Sequence, residues 1–259
     1  MINIHPKGRL GNQMFQYCLA RIISEQLDYA TDMELPFKNA KILKGKIVKS
    51  PVEQLNGHEI DLKGVLSNKK NRRIYLNGYF QQYEYYKDYK KEIQKWFEIT
   101  EGYKKPGIND LVVHVRGGDL YNKGGNTQHT PCPLSYYTSI IQQTYYRRLF
   151  IVTENPDDII VQAIQKRHSC KIISQSVIED YYFMFHATKL VLSVCTIAWW
   201  AGWLGNATEV HYPLLGYWHH DSVRNEINLR VSEQRYIYYD LGVQDNWQAS
   251  DEQIENLLK

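Results

Sequence analysis

Leu111-Val112-Val113-His114-Val115-Arg116-Gly117-Gly118-Asp119-Leu120 is the stretch on which the reading of this chain turns. Its apolar half is short and β-branched, the pattern of a strand buried on both faces. The polar residues arrive where such a strand should end, and two glycines allow a sharp turn or a close approach to a ligand. In an open parallel sheet, ligands bind just beyond the carboxyl ends of the strands. An arginine there suits a phosphate, because its planar fork donates two parallel hydrogen bonds. The plainer reading is a solvated turn closed by an Arg116–Asp119 ion pair. A motif this short does not decide between the two without its context.

Downstream, buried-strand patterns recur at Leu149–Val152, Lys171–Ile173, Leu190–Leu192 and Glu209–Tyr212, the last expected to close the series. Helical patterns alternate with them at Pro133–Tyr146, Asp157–Lys166, Ile178–His186 and Ala198–Leu204. This β-α alternation predicts a doubly wound sheet. Tyr121–Thr130, with Asn126 and His129, reads as a loop, and Asp251–Lys259 as a final helix.

Upstream, Ile2–Ile4 reads as a strand that runs into a loop with Gly8, Gly11 and Asn12, then into a helix reaching Leu27. Backbone N–H groups at such a helix start form an anion site. For a lone GxxG the simpler account is favoured: the glycines serve the turn and Asn12 caps the helix. Residues 31–73 are weakly patterned. DMELPF and KILKGKIVKS are candidate short strands, and SNKKNRR reads as a solvated basic loop. Ile74–Phe80 predicts a strand ending in a glycine turn. Gln81–Phe97 predicts one amphipathic helix, with Glu84, Lys87, Lys91 and Lys95 wet and Tyr86, Ile93, Trp96 and Phe97 inward. Thr100–Asn109 carries the glycines, proline and polar residues of a linker. The division expected is therefore residues 1–108 and 109–259, with the C-terminal helix able to return to the first part.

The chain has 259 residues, 43% of them hydrophobic, ample for two packed cores. Lys+Arg 31 against Asp+Glu 28 gives a net charge of +3, too balanced for a nucleic-acid partner. The 21 tyrosines and six tryptophans suit sugar-binding clefts, and equally ordinary cores. Cys18, Cys132, Cys170 and Cys195 form no CxxC pair and no zinc-spaced cluster, so free thiols in a reducing cytosol are expected. No secretory leader pattern and no run of ~18 apolar residues is present. The expectation is a cytoplasmic protein, with at most a peripheral association at the inner face of the membrane through basic patches.

Five stretches together resemble one family. GRLGNQMFQYCLAR, YLNGYFQQYEYYKD, HVRGGDL, LFIVTENPDDI and DYYFMFHATKLVLSVCTIAWWAGWLGN run in order from residue 8 to residue 206. They are similar to the signatures of bacterial α-1,2-fucosyltransferases, GxLGNQMFQYA, YLxGYFQSEKYF, HxRRGDY, FxxFSDDxxW and DxxLMSxCxHxIIANSxFSWWxAWLN. The resemblance implies a GT-B-like fold, with two Rossmann-type domains facing each other across a cleft. It implies inverting, metal-independent transfer of fucose from GDP-fucose to a galactoside hydroxyl of a surface-glycan precursor, such as an O-antigen or capsule. The acceptor would be a glycan or a lipid-linked oligosaccharide. The chain departs from the pattern at several points. The second arginine of HxRR is Gly117, one acid of the SDD pair is kept as Glu154, and Val194 stands for the asparagine of IIANS. Ala198 stands for the serine before the tryptophans, Lys189 for the histidine, while a hydroxyl survives as Thr196. Two alternatives stay open: a different nucleotide sugar on the same scaffold, or a binding protein without turnover.

Transfer from a nucleotide sugar must neutralise charge growing on the leaving diphosphate. No DxD motif stands at a strand end, so no metal is expected, and cationic and N–H donors must act. Arg116 is the candidate for the β-phosphate, assisted by Thr196 and nearby backbone N–H groups. Gly11 and Asn12 would approach the diphosphate or donor sugar from the first domain. Glu154 either accepts from the amino edge of a guanine or is a surface acid at a strand end. His114, beside the donor, is assigned packing or a local hydrogen bond rather than catalysis. Asp119 is either the general base or the group that orients Arg116, and the orienting role is favoured. His129 is a second candidate base. The catalytic set is thus Arg116, Asp119 and Asn12, and Trp199, Trp200 and Trp203 are core.

Overall fold

A computed structural model describes residues 1–100, 102–124, 127–222, 224, 226–244 and 246–259, so Asn126 of the predicted loop lies outside the described residues. The chain forms two compact units, Met1–Glu101 with Glu226–Leu229, and Gly102–Asn225 with Arg230–Lys259.

The first unit contains β1 (Ile2–Ile4), α1 (Leu10–Leu27), β2 (Val52–Gly57), α2 (Leu62–Ser67), β3 (Arg73–Gly78), α3 (Tyr83–Tyr86) and α4 (Lys90–Trp96). Its strands pair in parallel in the order β1-β3-β2. α1 buries Met14, Phe15, Cys18, Leu19, Ile22 and Ile23, the helical spacing read from the sequence. DMELPF and KILKGKIVKS are not strands. KILKGKIVKS contributes only the isolated bridge Tyr29↔Lys46, and the bridge Ile2↔Thr31 lies just before DMELPF. The strand that does form, β2, buries Leu55 alone, so no apolar period announced it.

The basic SNKKNRR cluster is not wholly solvated either. Arg72 is 4% exposed. It pairs with Glu53 and donates to the carbonyls of Val65 at 2.8 Å and Asn68 at 2.6 Å. A buried guanidinium is tolerable when its donors are satisfied in this way. The long helix predicted at Gln81–Phe97 is broken by a 3-10 turn at Lys87–Tyr89. Tertiary anchors explain the break. The Tyr86 hydroxyl donates to Phe80 O at 2.7 Å, and the Tyr85 hydroxyl donates to Ile60 O at 2.9 Å. These bonds fix the first turn in place, and local helix propensity is too weak a preference to override them. The predicted wet and inward faces are both observed.

The second unit contains β4 (Asp110–His114), α5 (Leu134–Gln143), β5 (Arg148–Val152), α6 (Ile159–Arg167), β6 (Cys170–Ile173), α7 (Val177–Phe185), β7 (Lys189–Val191), α8 (Thr196–Leu204), β8 (Glu209–Leu214), β9 (Tyr236–Asp240) and α9 (Asp251–Leu257). The six strands are all parallel, in the order β6-β5-β4-β7-β8-β9. β4 is central, and Leu111, Val112 and Val113 are fully buried. The expected closing strand, β8, is not the last. β9 adds an edge strand that buries only Tyr236 well, although its Tyr-Ile-Tyr-Tyr run is a strand signal. Trp199, Trp200 and Trp203 are fully buried, with ring centroids 5.0–5.5 Å apart. α9, capped by Ser250 and Gln253, belongs to this second unit.

The chain is therefore a mixed α/β protein with parallel, Rossmann-like sheets. In the larger sheet the order runs outward from β4 on one side and from β7 on the other. The crevice between those two strands is the topological switch point, where ligands of open α/β sheets bind.

Candidate active site

β4 ends at His114, and Val115 still donates to Val152 O at 2.9 Å. Arg116 is thus delivered to the carboxyl edge of the sheet. Gly118 has φ +63°, a conformation that favours glycine. Gly117 is demanded by space: a Cβ there would lie 1.5 Å from Asp158 Oδ2. Asp119 is the second residue of the short 3-10 turn Gly118–Tyr121.

Arg116 Nη2 donates to both carboxylate oxygens of Asp119, at 2.7 and 2.9 Å. Arg116 Nη1 lies 3.8 Å from Cys195 Sγ. The Arg116 side chain is 13% exposed and that of Asp119 56%. Burial pulls the guanidinium down, but neighbouring Cys195, Asp119 and Glu154 outweigh it and the net shift is upward. The pair is therefore a cation fixed in orientation by a more exposed carboxylate, the ion pair foreseen as the plainer reading, now standing at a switch point.

Across the switch point, β7 ends at Val191, Ser193-Val194-Cys195 make the turn, and α8 starts at Thr196. Cys195 holds the N-cap position without a capping side-chain bond, and the first turn carries no acidic residue. The first N–H groups of a helix lack intrahelical partners and sit at the positive end of its dipole. Thr196 adds a half-buried hydroxyl there. His114 Nδ1 lies 2.7 Å from Ser193 Oγ, so its role is a local, buried hydrogen bond. Glu154, exposed after β5, comes near the arginine loop: a Cβ on Gly118 would be 3.4 Å from its Oε1. His114, Arg116, Asp119, Glu154 and Thr196 are thus gathered at the carboxyl ends of three adjacent strands.

Gly11 and Asn12 lie in the first unit, in the first turn of α1. Asn12 is not the cap, a position held by Arg9. Its Oδ1 accepts from Gln81 Nε2 at 2.9 Å.

Four residues near the arginine loop escaped the sequence reading. Ser193 falls on the alanine of IIANS, so the motif gives it no polar role, whereas Cys195 stands at the serine of IIANS, a thiol in place of a hydroxyl and the signal that could have found it. Asp158 was read as helical; it is the N-cap of α6, with Oδ1 accepting from Ile160 N at 2.9 Å and from the Tyr121 hydroxyl at 3.3 Å. Burial raises its carboxyl above the usual range, against those bonds and one from the Gly118 N–H. Asp158 itself, standing directly before Ile159 and Ile160, is the signal for a helix start there. Tyr217 places its hydroxyl 3.4 Å from His129 Nε2, which also lies 3.3 Å from Val194 O. His129 is thus engaged with backbone and tyrosine.

The fold also gathers His219, His220 and Asp221, whose candidate ligand atoms lie within 4.8 Å of one another. His219 is already committed: Nδ1 accepts from the Asp221 N–H at 3.1 Å and Nε2 faces Asp240 Oδ1 at 3.2 Å. Among the described residues, no helix is long and apolar enough to cross a membrane.

Comparison with curated proteins and with solved structures returned no match. Comparison with protein families matched residues 19–226. That range takes in Arg116, Asp119, Glu154 and Thr196 and leaves Gly11 and Asn12 outside it. The matching description is Glycosyl transferase family 11, and the chain belongs to that family of fucosyltransferases.

Proposed function

We propose that the protein is an inverting α-1,2-fucosyltransferase that moves fucose from GDP-fucose to a galactoside hydroxyl of a surface-glycan precursor. The observation that carries this reading is the Arg116–Asp119 pair beside the N-terminus of α8, at the switch point of a parallel sheet. As the bond from the sugar anomeric carbon to the phosphate oxygen breaks, negative charge grows on GDP. Arg116 and the first N–H groups of α8 meet that charge without a metal. The acceptor hydroxyl attacks from the opposite face and gives up its proton to a base. Both oxygens of Asp119 are turned to Arg116, which supports the orienting role for this carboxylate. Glu154 is suited to the amino edge of guanine, which presents two donors. In this GT-B-like reading Gly11 and Asn12 act on the same donor from the first unit, and the reaction runs in the cytoplasm on a glycan or lipid-linked oligosaccharide.

One observation favours a second reading, the same scaffold with another nucleotide sugar. The position of the family's second arginine is Gly117, and the space its side chain would enter is filled by Asp158. A thermal-shift screen of nucleotides and nucleotide sugars separates the two. GDP at about 100 times its dissociation constant adds roughly 2.7 kcal/mol of stability. The expected outcome is protection by GDP and GDP-fucose in the presence of a chelator, followed by an α-1,2 linkage in the product. Strong protection by UDP or CMP, and none by GDP, defeats the guanine assignment. Protection that requires a divalent ion defeats the metal-independent mechanism.

A further inference from the structure

We propose that the exposed segment between Lys38 and Val52 docks the protein on an anionic lipid surface. Residues 35–52, LPFKNAKILKGKIVKSPV, hold five lysines and no acid. The remainder of the chain then carries 26 basic against 28 acidic residues, so its net positive charge is concentrated here. The same segment displays apolar side chains. Among the described residues, Ile42 is 53% exposed and Ile47 68%, two of the eight exposed large hydrophobics found there. Scattered single exposures need no explanation, but two isoleucines within six residues, interleaved with lysines, do.

The segment is held in place without a helix or a strand of its own. Thr31 N donates to Leu43 O at 3.1 Å, and Lys46 N donates to Asp28 O at 2.8 Å. Ala40 is fully buried, and Leu43 and Val48 are half-buried, while Ile42, Lys44, Ile47 and Lys49 are exposed. The apolar residues that could be sheltered are sheltered, and two isoleucines are left out. Lys41 and Lys46 approach Glu34 and Asp28 at 3.9 and 3.7 Å, all four groups being exposed. Such pairs are weak and exchange readily for another anion.

Lysine beside aliphatic side chains fits the boundary between anionic headgroups and acyl chains. Either signal alone gives marginal membrane binding, and together they reinforce one another. A nucleic acid is the poorer match. Single-strand binding relies on aromatic stacking and cation–π contacts from arginine, and residues 38–52 contain neither an aromatic residue nor an arginine. The proposal is independent of which sugar the enzyme transfers, and its test needs no turnover.

The test is sedimentation of the full chain with vesicles of phosphatidylcholine alone or mixed with phosphatidylglycerol. Binding is expected only with phosphatidylglycerol, and is lost at about 1 M salt, where the screening length falls to ~3 Å. Lys44→Gln with Lys49→Gln should weaken it about fivefold per lysine. Ile42→Ser with Ile47→Ser should weaken it on the order of tenfold at unchanged charge. All these side chains are exposed, so the melting temperature should hold. Lys166→Gln with Arg167→Gln removes equal charge elsewhere and should leave binding intact. Three outcomes overturn the proposal: no binding to phosphatidylglycerol vesicles, wild-type binding by the isoleucine pair, or equal loss in the Lys166/Arg167 control. The first of these, with capture of an acidic peptide instead, would assign the surface to a protein partner.

Discussion

Arg116 is largely buried in the loop that carries it, yet it is the group asked to meet a diphosphate. Its orientation is set by Asp119 before any ligand arrives. Arg116→Lys keeps the charge but loses the planar fork. Charge on the phosphate oxygens rises as the glycosidic bond breaks, so the lost contact matters most in the transition state. Losing one such donor costs on the order of 3 kcal/mol, or about a hundredfold in turnover. Wild-type turnover by Arg116→Lys at saturating donor and acceptor would remove the arginine from its assigned role. Asp119→Asn separates orientation from base catalysis. The orienting role predicts weaker GDP binding by calorimetry, whereas a base would leave GDP binding intact and abolish transfer. Gly117 supports a third expectation. Gly117→Arg restores the family's residue, but its Cβ must enter space held by Asp158 Oδ2. Overpacking of this kind costs roughly 1–3 kcal/mol, so a lower melting temperature and lost turnover are expected. A Gly117→Arg protein that melts and turns over like wild type would refute the clash. Arg116 and Asp119 were legible because polar residues punctuated an apolar strand. Asp158 was not, because only folding brings it against Gly117.

At the scale of elements, the central strands and the edge strands β1 and β6 were legible, and the edge strands β2 and β9 were not. β4 and β5 are near-continuous apolar runs, as burial on both faces requires. β2 and β9 lie at sheet edges and each buries a single residue; β2 leaves little trace in composition, whereas the Tyr-Ile-Tyr-Tyr run of β9 carries a strand signal that the sequence reading does not use. α7 was read within one residue of its bounds, but the state of Asp180 in its first turn was not readable. Burial raises that carboxyl from 3.8 to about 7, against a hydrogen bond from the Gln175 N–H. A raised folded-state pKa means that the folded protein holds the proton more tightly than the unfolded chain. Stability should therefore fall as pH rises from about 4 to about 7, and change little beyond. Asp180→Asn removes this contribution, since the amide does not titrate. Denaturant midpoints at pH 5 and pH 8 should differ less in Asp180→Asn than in wild type. Identical pH dependence in the two proteins would show that Asp180 titrates normally.

At the scale of the molecule, the sequence reading expected a doubly wound parallel sheet around Arg116, and the second unit has one. Asn12 belongs to the first unit, in a turn outside the family match, where its amide is bonded to Gln81. The GT-B-like reading makes a demand of this residue that a purely local role does not. If both units act on one donor, Asn12→Ala must lower transfer although every residue gathered around Arg116 is intact. The expected loss is on the order of a hundredfold in kcat, the usual effect of removing one transition-state donor. GDP affinity should change far less, because the guanine and β-phosphate contacts are assigned to the second unit. Gln81→Ala gives the comparison. It removes the partner of Asn12 but leaves the asparagine itself, so a local structural role predicts similar losses for the two variants, in stability as in rate. A catalytic Asn12 predicts that Asn12→Ala is much the slower enzyme while both melt near the wild-type temperature. Should Asn12→Ala retain wild-type kcat and KM, the first unit contributes no asparagine to the chemistry, and the reaction would rest on the residues around Arg116 alone.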